Sequence, residues 1–383
     1  MNAASGQRHA RDRAHGAGAG GADVVERWEQ AGGSSLPPLV VREPLGRWLA
    51  AHGFGGDPGG IVAIGDGLSN ATFALRRSDA PDLVLRRPPQ PPLPPGAHDV
   101  LREARVLRGL AATAVPTPRV LAVCEDDRVI GAPFYVMEHL AGTVALLELP
   151  EALDVPDERR AVAERAVEAL VAIHAVDTAA VGLELGRPSG YLERQLERHF
   201  ALWEHSRTRE LPAFDEVGRW LARNLPTTEE VTLVHGDYHL GNVLLAPDAP
   251  ARVAAVLDWE LATRGDPLAD LGYLCAMWTQ AGDPSDHPLE RSTLTRRAGF
   301  PTRDELAAHY EAVSGRVVHD RAWYEILALW RAVVFMEGNY RRAAEGSTDN
   351  PFLVGFGSQV PRLAELARAA VEAADASSRR GAP

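Results

Sequence analysis

Three oxygen-bearing side chains, Asp237, Asn242 and Asp258, fall within one short stretch of the chain. Val234-His235-Gly236-Asp237-Tyr238-His239-Leu240-Gly241-Asn242-Val243-Leu244-Leu245 sets a polar loop between two apolar runs. A third run, Val253-Ala254-Ala255-Val256-Leu257, ends on Asp258-Trp259-Glu260. Short Val/Leu runs bounded by Gly, Asn and Asp read as strands, so the order is strand, polar loop, strand, carboxylate. A carboxylate can accept a hydroxyl proton, and an amide oxygen with a second carboxylate makes a pair of hard ligands for magnesium. Those residue types suit the movement of a phosphoryl group onto a hydroxyl, which needs in-line positioning, a proton acceptor and metal-bridged phosphates. Asp237 then serves as the base, Asn242 and Asp258 as the magnesium ligands, and His235 as a support that hydrogen-bonds loop backbone. The competing reading is that Asp and Asn only turn the chain between strands. His-Gly-Asp-x-His-x-Gly-Asn followed by a strand and Asp-Trp-Glu specifies many more positions than a turn requires.

Other elements must hold these residues and whatever they act on. Residues 61–75 read as strand, glycine-rich turn, strand, with Gly65, Gly67, Ser69 and Asn70 in the turn. Glycines there let backbone N–H groups approach phosphate oxygens, although Gly-Asp-Gly is also an ordinary hairpin turn. Leu83-Val84-Leu85-Arg86-Arg87 is the next strand, and residues 99–110, carrying Glu103, read as a helix. Strands at 115–124 and 134–140 pair across 125–127. Further helices are expected at 23–30, around Leu45, Trp48 and Leu49, and at 157–174, 191–203, 304–313, 322–342 and 360–373. Asp266 and Pro267 are suited to open one more, with Asp266 and Asp270 fixing the polar loop from beneath. His174 reads as a structural histidine. Trp323, Tyr324, Leu327, Trp330, Val334 and Phe335 fall at core spacing.

The 383 residues carry a formal charge of −12, which argues against a broad nucleic-acid surface, since that needs a basic face. Cys124 and Cys275 both sit among apolar neighbours and read as buried thiols. No apolar run is long enough to span a bilayer and no signal-peptide core precedes residue 22, so the expectation is a cytoplasmic protein without a membrane partner. Residues 1–22, rich in Gly and Ala, read as a disordered tail.

The five-residue step from Asp237 to Asn242 is that of the protein-kinase catalytic loop. With Asp258 it makes the sequence resemble the aminoglycoside phosphotransferase and choline kinase superfamily. Leu-Asp-Trp-Glu-Leu-Ala-Thr-Arg-Gly-Asp-Pro-Leu-Ala-Asp-Leu-Gly at 257–272 is most similar to the branch related to kinase domains fused to acyl-CoA dehydrogenases. The resemblance covers roughly residues 38–345. It implies an α+β, bilobed, protein-kinase-like fold: a small N-terminal antiparallel-sheet lobe at 23–138, a larger mainly helical lobe at 139–375, and a flexible tail at 376–383. It also implies ATP or GTP with Mg2+ as cofactors and a small-molecule hydroxyl as acceptor. The backbone at Glu138 and Leu140 is where adenine would bond, and Arg86 stands where relatives carry a lysine that pairs with a helix glutamate, here Glu103. Arg87 is the alternative, on the opposite strand face. Residues 191–203 lie where relatives hold the acceptor, and the branch implies a hydroxyacyl thioester or similar metabolite. The rival readings are an aminoglycoside O-phosphotransferase, a nucleotide-binding regulator that has lost catalysis, motivated by Arg86, and an interaction protein that binds no nucleotide.

Overall fold

Residues 23–33, 37–65, 69–91, 93, 98–187, 189–227, 230–284, 287–290, 292–346 and 351–381 are described by the computed structural model. The chain separates into two units, residues 1–112 with 117–140, and residues 113–116 with 141–383. The expected tail at 1–22 and the turn residue Gly67 lie outside the described residues.

The first unit contains β1 (Val24–Val25), β2 (Val40–Val41), α1 (Arg42–Ala51), β3 (Gly60–Ile64), β4 (Ala71–Arg76), β5 (Leu83–Arg87), α2 (Val100–Leu110), β6 (Val120–Cys124) and β7 (Phe134–Glu138). Strands β3 to β7 form one antiparallel sheet in the order β3-β4-β5-β7-β6. Alternation sends Phe73 and Leu75, Leu83 and Leu85, and Phe134 and Val136 into one core with Leu45 and Leu49 of α1. Residues one step out of phase face the other way, and register sets Thr72 opposite Arg86. Where a helix was expected at 23–30, Val24 and Val25 instead pair in parallel with Val40 and Val41, and a 3-10 turn follows at Trp28–Gly33. Adjacent β-branched valines pack better on a pleated edge than in a helical turn.

The second unit contains β8 (Thr143–Val144), α3 (Pro156–His174), α4 (Tyr191–Ser206), α5 (Pro212–Arg223), β9 (Thr232–Val234), β10 (Val243–Leu245), β11 (Val253–Val256), β12 (Thr263–Gly265), α6 (Pro267–Met277), α7 (Arg303–Ser314), α8 (Arg321–Ala344) and α9 (Pro351–Gly381). Two small antiparallel sheets, β11-β10-β8 and β12-β9, carry the polar loop. The α+β division into a sheet-built unit and a mainly helical one is thus as expected. Helix α8 is the spine, burying Trp323, Tyr324, Leu327, Trp330 and Val334. The Trp330 ring stacks on Phe214 at 4.8 Å, which stacks on Trp203 at 4.3 Å. Phe335 departs from the expected core stripe and is 52% exposed, because it shares a helical face with Arg331 rather than with Trp330 and Val334. Helix α6 lies so close to α8 that a side chain on Gly272 would fall on Tyr324. Regular helix in α9 continues to Gly381, past the point where a flexible tail was expected to begin. Both cysteines are buried and unpaired, and among the described residues no helix is long and apolar enough to cross a membrane.

Candidate active site

The polar loop leaves β9 at Val234 and enters β10 at Val243, so both of its ends are clamped by ladder hydrogen bonds. Register pairs Val243 with Val256, and Leu257 N–H donates to Asn242 O at 2.8 Å. Asn242 is thereby one residue away from Asp258. Gly236 makes the loop's first bend at φ +88°, and a Cβ there would come within 2.9 Å of Leu261 Cβ and O. Only glycine fits such a site.

Beneath the loop lies Asp270, in the first turn of α6 and 1% exposed. Its carboxylate accepts from His235 N at 2.6 Å, Gly236 N at 2.8 Å and His174 Nε2 at 3.3 Å. His174 Nδ1 lies 2.8 Å from the Tyr310 hydroxyl, so the histidine that ends α3 has partners from α6 and α7. Burial works to raise the Asp270 carboxyl, but the hydrogen bond from His174 and the Gly236 N–H outweigh it, and its pKa is lowered. Tyr238, fully buried, donates to Ala166 O of α3 at 2.6 Å and pins the loop from a second side.

His235 is fully buried. Its Nε2–H donates to Leu257 O at 2.9 Å, and its Nδ1 accepts from Asp237 N–H at 3.3 Å. One donor and one acceptor nitrogen define a neutral imidazole, and burial lowers its pKa accordingly. Asp237 keeps 30% of its side chain exposed; Oδ2 accepts from Asn242 Nδ2 at 3.1 Å and lies 3.7 Å from His239 Nε2. Its encirclement works to raise the carboxyl, yet the His239 imidazole, the Tyr273 hydroxyl and His235 hold it well below the usual carboxylate range. Asp237 is therefore an anion, and part of its carboxylate faces solvent. His239 Nδ1 is occupied by the Gly241 N–H at 3.0 Å.

Among the described residues, Asp258 is one of few non-glycine residues at positive φ, +65°. Left-handed backbone costs such a residue on the order of 1–3 kcal/mol and collects at functional sites. Trp259 follows it, fully buried, its Nε1 bonded to Val256 O at 3.0 Å and its ring 4.8 Å from His235. As magnesium ligands Asn242 and Asp258 have the right chemistry. The Asn242 amide nitrogen is spent on Asp237 O and Oδ2, which leaves its oxygen as the outward donor beside a half-buried carboxylate. Two protein oxygens completed by phosphate and water are what magnesium takes. Among the described residues no group of three His, Cys, Asp or Glu is arranged for another metal.

In the first unit, Arg86 Nε donates to Glu103 Oε2 at 2.9 Å, with the two side chains 10% and 1% exposed. Arg86 Nη1 reaches Thr72 Oγ1 at 3.1 Å, Nη2 lies 3.5 Å from Ser69 Oγ, and Asn70 Nδ2 donates to Glu103 Oε2 at 3.3 Å. The fork thus ties the end of the turn to strand and helix. Arg87 is turned to the other face, bonded to Pro88 O and Ile130 O at 2.9 Å, and burial brings its pKa down to about 10. Gly65 takes φ +94° and is exposed. Glu138 closes β7 with its N–H given to Arg119 O at 3.1 Å, and half-buried Leu140 is the last residue of the unit.

Two residues on the second unit's site were missed in reading the sequence. Tyr273 hydrogen-bonds Asp237, and Arg331 Nη2 donates to Gly236 O at 3.2 Å. Tyr273 lies one helical turn beyond Asp270, which helical spacing could have suggested; Arg331 comes from a distant helix, and nothing local points to it.

Comparison with known proteins agrees with this architecture. Residues 60–332 match the sequence signature of the phosphotransferase enzyme family. A crystal structure of a candidate aminoglycoside phosphotransferase from Ralstonia eutropha JMP134 is 32% identical, with a TM-score of 0.70 over 86% of this chain and 98% of that one. Acyl-CoA dehydrogenase family member 11 of Gallus gallus is 40% identical over 324 residues, 82% of this chain and 41% of that protein. Family member 10 of Mus musculus is 33% identical over 338 residues, 87% and 31% respectively. The chain spans less than half the length of these two relatives. An aminoglycoside phosphotransferase solved with AMP-PNP and hygromycin B, 18% identical with a TM-score of 0.55 over 85% of this chain and 98% of that one, shares the fold. By signature, sequence and fold together, the chain belongs to the phosphotransferase enzyme family.

Proposed function

We propose that the protein moves the γ-phosphoryl group of ATP or GTP onto the hydroxyl of a small-molecule acceptor, in the cytoplasm. The observation that carries this reading is the clamped loop: an ionised, partly exposed Asp237, held by Asn242, beside Asp258 in strained backbone. The bond between the γ-phosphorus and the β,γ-bridging oxygen breaks, its electrons leaving on the diphosphate. The bond between the acceptor oxygen and that phosphorus forms, and the hydroxyl proton passes to Asp237. Asn242 and Asp258 would hold magnesium, which supplies charge neutralisation at the phosphates when bound. Arg86, fixed by Glu103, is the proposed contact for phosphate oxygens, together with Gly65, Ser69 and Asn70, and the Glu138–Leu140 backbone is the proposed contact for the base. His235 is a positioning residue, neutral and bonded to backbone on both ring nitrogens.

A hydroxyacyl-CoA-like metabolite is the proposed acceptor, since relatives of this chain bear names of acyl-CoA enzymes. An aminoglycoside is the alternative acceptor; Glu204 and Glu210, in the region where relatives hold the acceptor, share Arg207 at 3.0 and 2.9 Å. ADP release from Mg-ATP, measured across hydroxyacyl-CoAs, hydroxy acids, choline, sugars and aminoglycosides, tests the reading. Asp237→Asn is expected to lower turnover on the order of 10²-fold or more while leaving nucleotide affinity within about twofold. A variant with substantial remaining turnover removes Asp237 from the base role.

A further inference from the structure

Arg331 on α8 has no part in the roles given so far. Its Nη2 donates to Gly236 O at 3.2 Å, directly before Asp237, and its guanidinium carbon lies 6.0 Å from the centre of the Tyr273 ring, whose hydroxyl reaches Asp237. Its Nε is buried without a hydrogen-bond partner. Several arginines of this chain are matched by carboxylates, Arg86 by Glu103, Arg209 by Glu337 and Arg303 by Asp283, and buried Arg87 is held by more than one backbone carbonyl. Among the described residues, the hydrogen bonding of Arg331 goes to the Gly236 carbonyl, with the Tyr273 ring beside it. A partly buried guanidinium left without a counter-charge is costly until something completes it, and its planar fork matches a carboxylate or phosphoryl group. Two exposed apolar side chains belong to the same segments. Leu261, packed where a Gly236 side chain would be, is 40% exposed, and Phe335, one turn beyond Arg331 on the same face, is 52% exposed.

We propose that Arg331 binds an oxyanion of the reacting pair, either a carboxylate on the acceptor or the oxygens of the phosphoryl group in transit. The proposal rests on the phosphotransfer reading, and the two sources of the oxyanion part in kinetics. Arg331→Met removes the charge, Arg331→Gln removes it while keeping a donor for Gly236 O, and Arg331→Lys keeps the charge without the fork. Each is assayed with Mg-ATP and two acceptors of one skeleton, a hydroxycarboxylate and the neutral alcohol without the carboxylate. If the acceptor supplies the oxyanion, the Met and Gln variants raise KM about tenfold or more for the hydroxycarboxylate alone. If the phosphoryl group supplies it, kcat falls by about as much for both acceptors at unchanged KM. Arg331→Lys recovers a large part of the loss in either case. Calorimetric titration of inorganic phosphate in saturating Mg-ADP needs no turnover; binding to the wild type and its loss in Arg331→Gln are expected. Wild-type phosphate binding without any ADP release would sink phosphotransfer alone. Wild-type turnover with Arg331→Gln unchanged in kcat, KM, thermal midpoint and phosphate binding would overturn the oxyanion role alone.

Discussion

Arg86 and Glu103 meet where almost no water remains, with 10% and 1% of their side chains exposed. Removing one charge from such a pair leaves the other buried and uncompensated, which costs about 3–5 kcal/mol. Arg86→Ala is therefore expected to lower unfolding free energy by about that amount, measured by chemical denaturation. Arg86→Lys keeps the charge on Glu103 but cannot also hold Thr72 and Ser69 with one ammonium. Its expected signature is a modest stability loss, under about 2 kcal/mol, with a weaker nucleotide affinity read by calorimetry. The clustering of Asp237 with Asn242 was legible in the sequence because a single short loop carries both residues. The pairing of Arg86 rather than Arg87 with Glu103 was legible too, because the two-residue period of a strand is local. Arg331 was not, since only the packing of α8 brings it to Gly236. The partners of His174 were hidden for the same reason: Asp270 and Tyr310 reach it from separate helices.

At the scale of elements, the first turn of α6 acts as the loop's footing. Asp270 takes two loop N–H groups and a histidine on one carboxylate. Asp270→Asn replaces one accepting oxygen with an NH2 that must face an N–H donor, so a loss of about 2–4 kcal/mol is expected, together with lower kcat at unchanged nucleotide affinity. Acid acts on the same footing. The unfolded chain protonates His235 near its ordinary value of 6.5, whereas in the fold burial keeps the imidazole neutral. Stability therefore falls as pH drops below about 6.5, because the unfolded state binds more protons there. Asp270 adds loss only at lower pH, below its ordinary 3.8, because its folded pKa is depressed. Unfolding free energy measured from pH 7.5 to 5 is expected to decline, and to decline less steeply in His235→Asn. Helices were readable from apolar spacing, but spacing alone did not give α6 this task, and at 23–30 the pairing of two valines overrode the helical reading.

The whole chain holds two units, each with its own buried apolar side chains. The α+β class was implied by the family resemblance of the loop, and the strand-forming runs of the first 140 residues and the helical spacing of the rest agree with it. The course of α9 to Gly381 was not, since Ala-, Ser- and Arg-rich sequence carries little apolar spacing to read. Each unit also encloses one thiol, Cys124 in β6 and Cys275 in α6, 3% and 0% exposed, and burial raises both above the ordinary thiol pKa. The natural sequence thus comes with an internal pair of reporters, one per unit, that a pulse of alkylating reagent can read by peptide mass. Native protein is expected to remain unmodified at both. Along a denaturant series the two sulfurs are expected to become reactive at different concentrations, timing the opening of each unit separately within a single molecule.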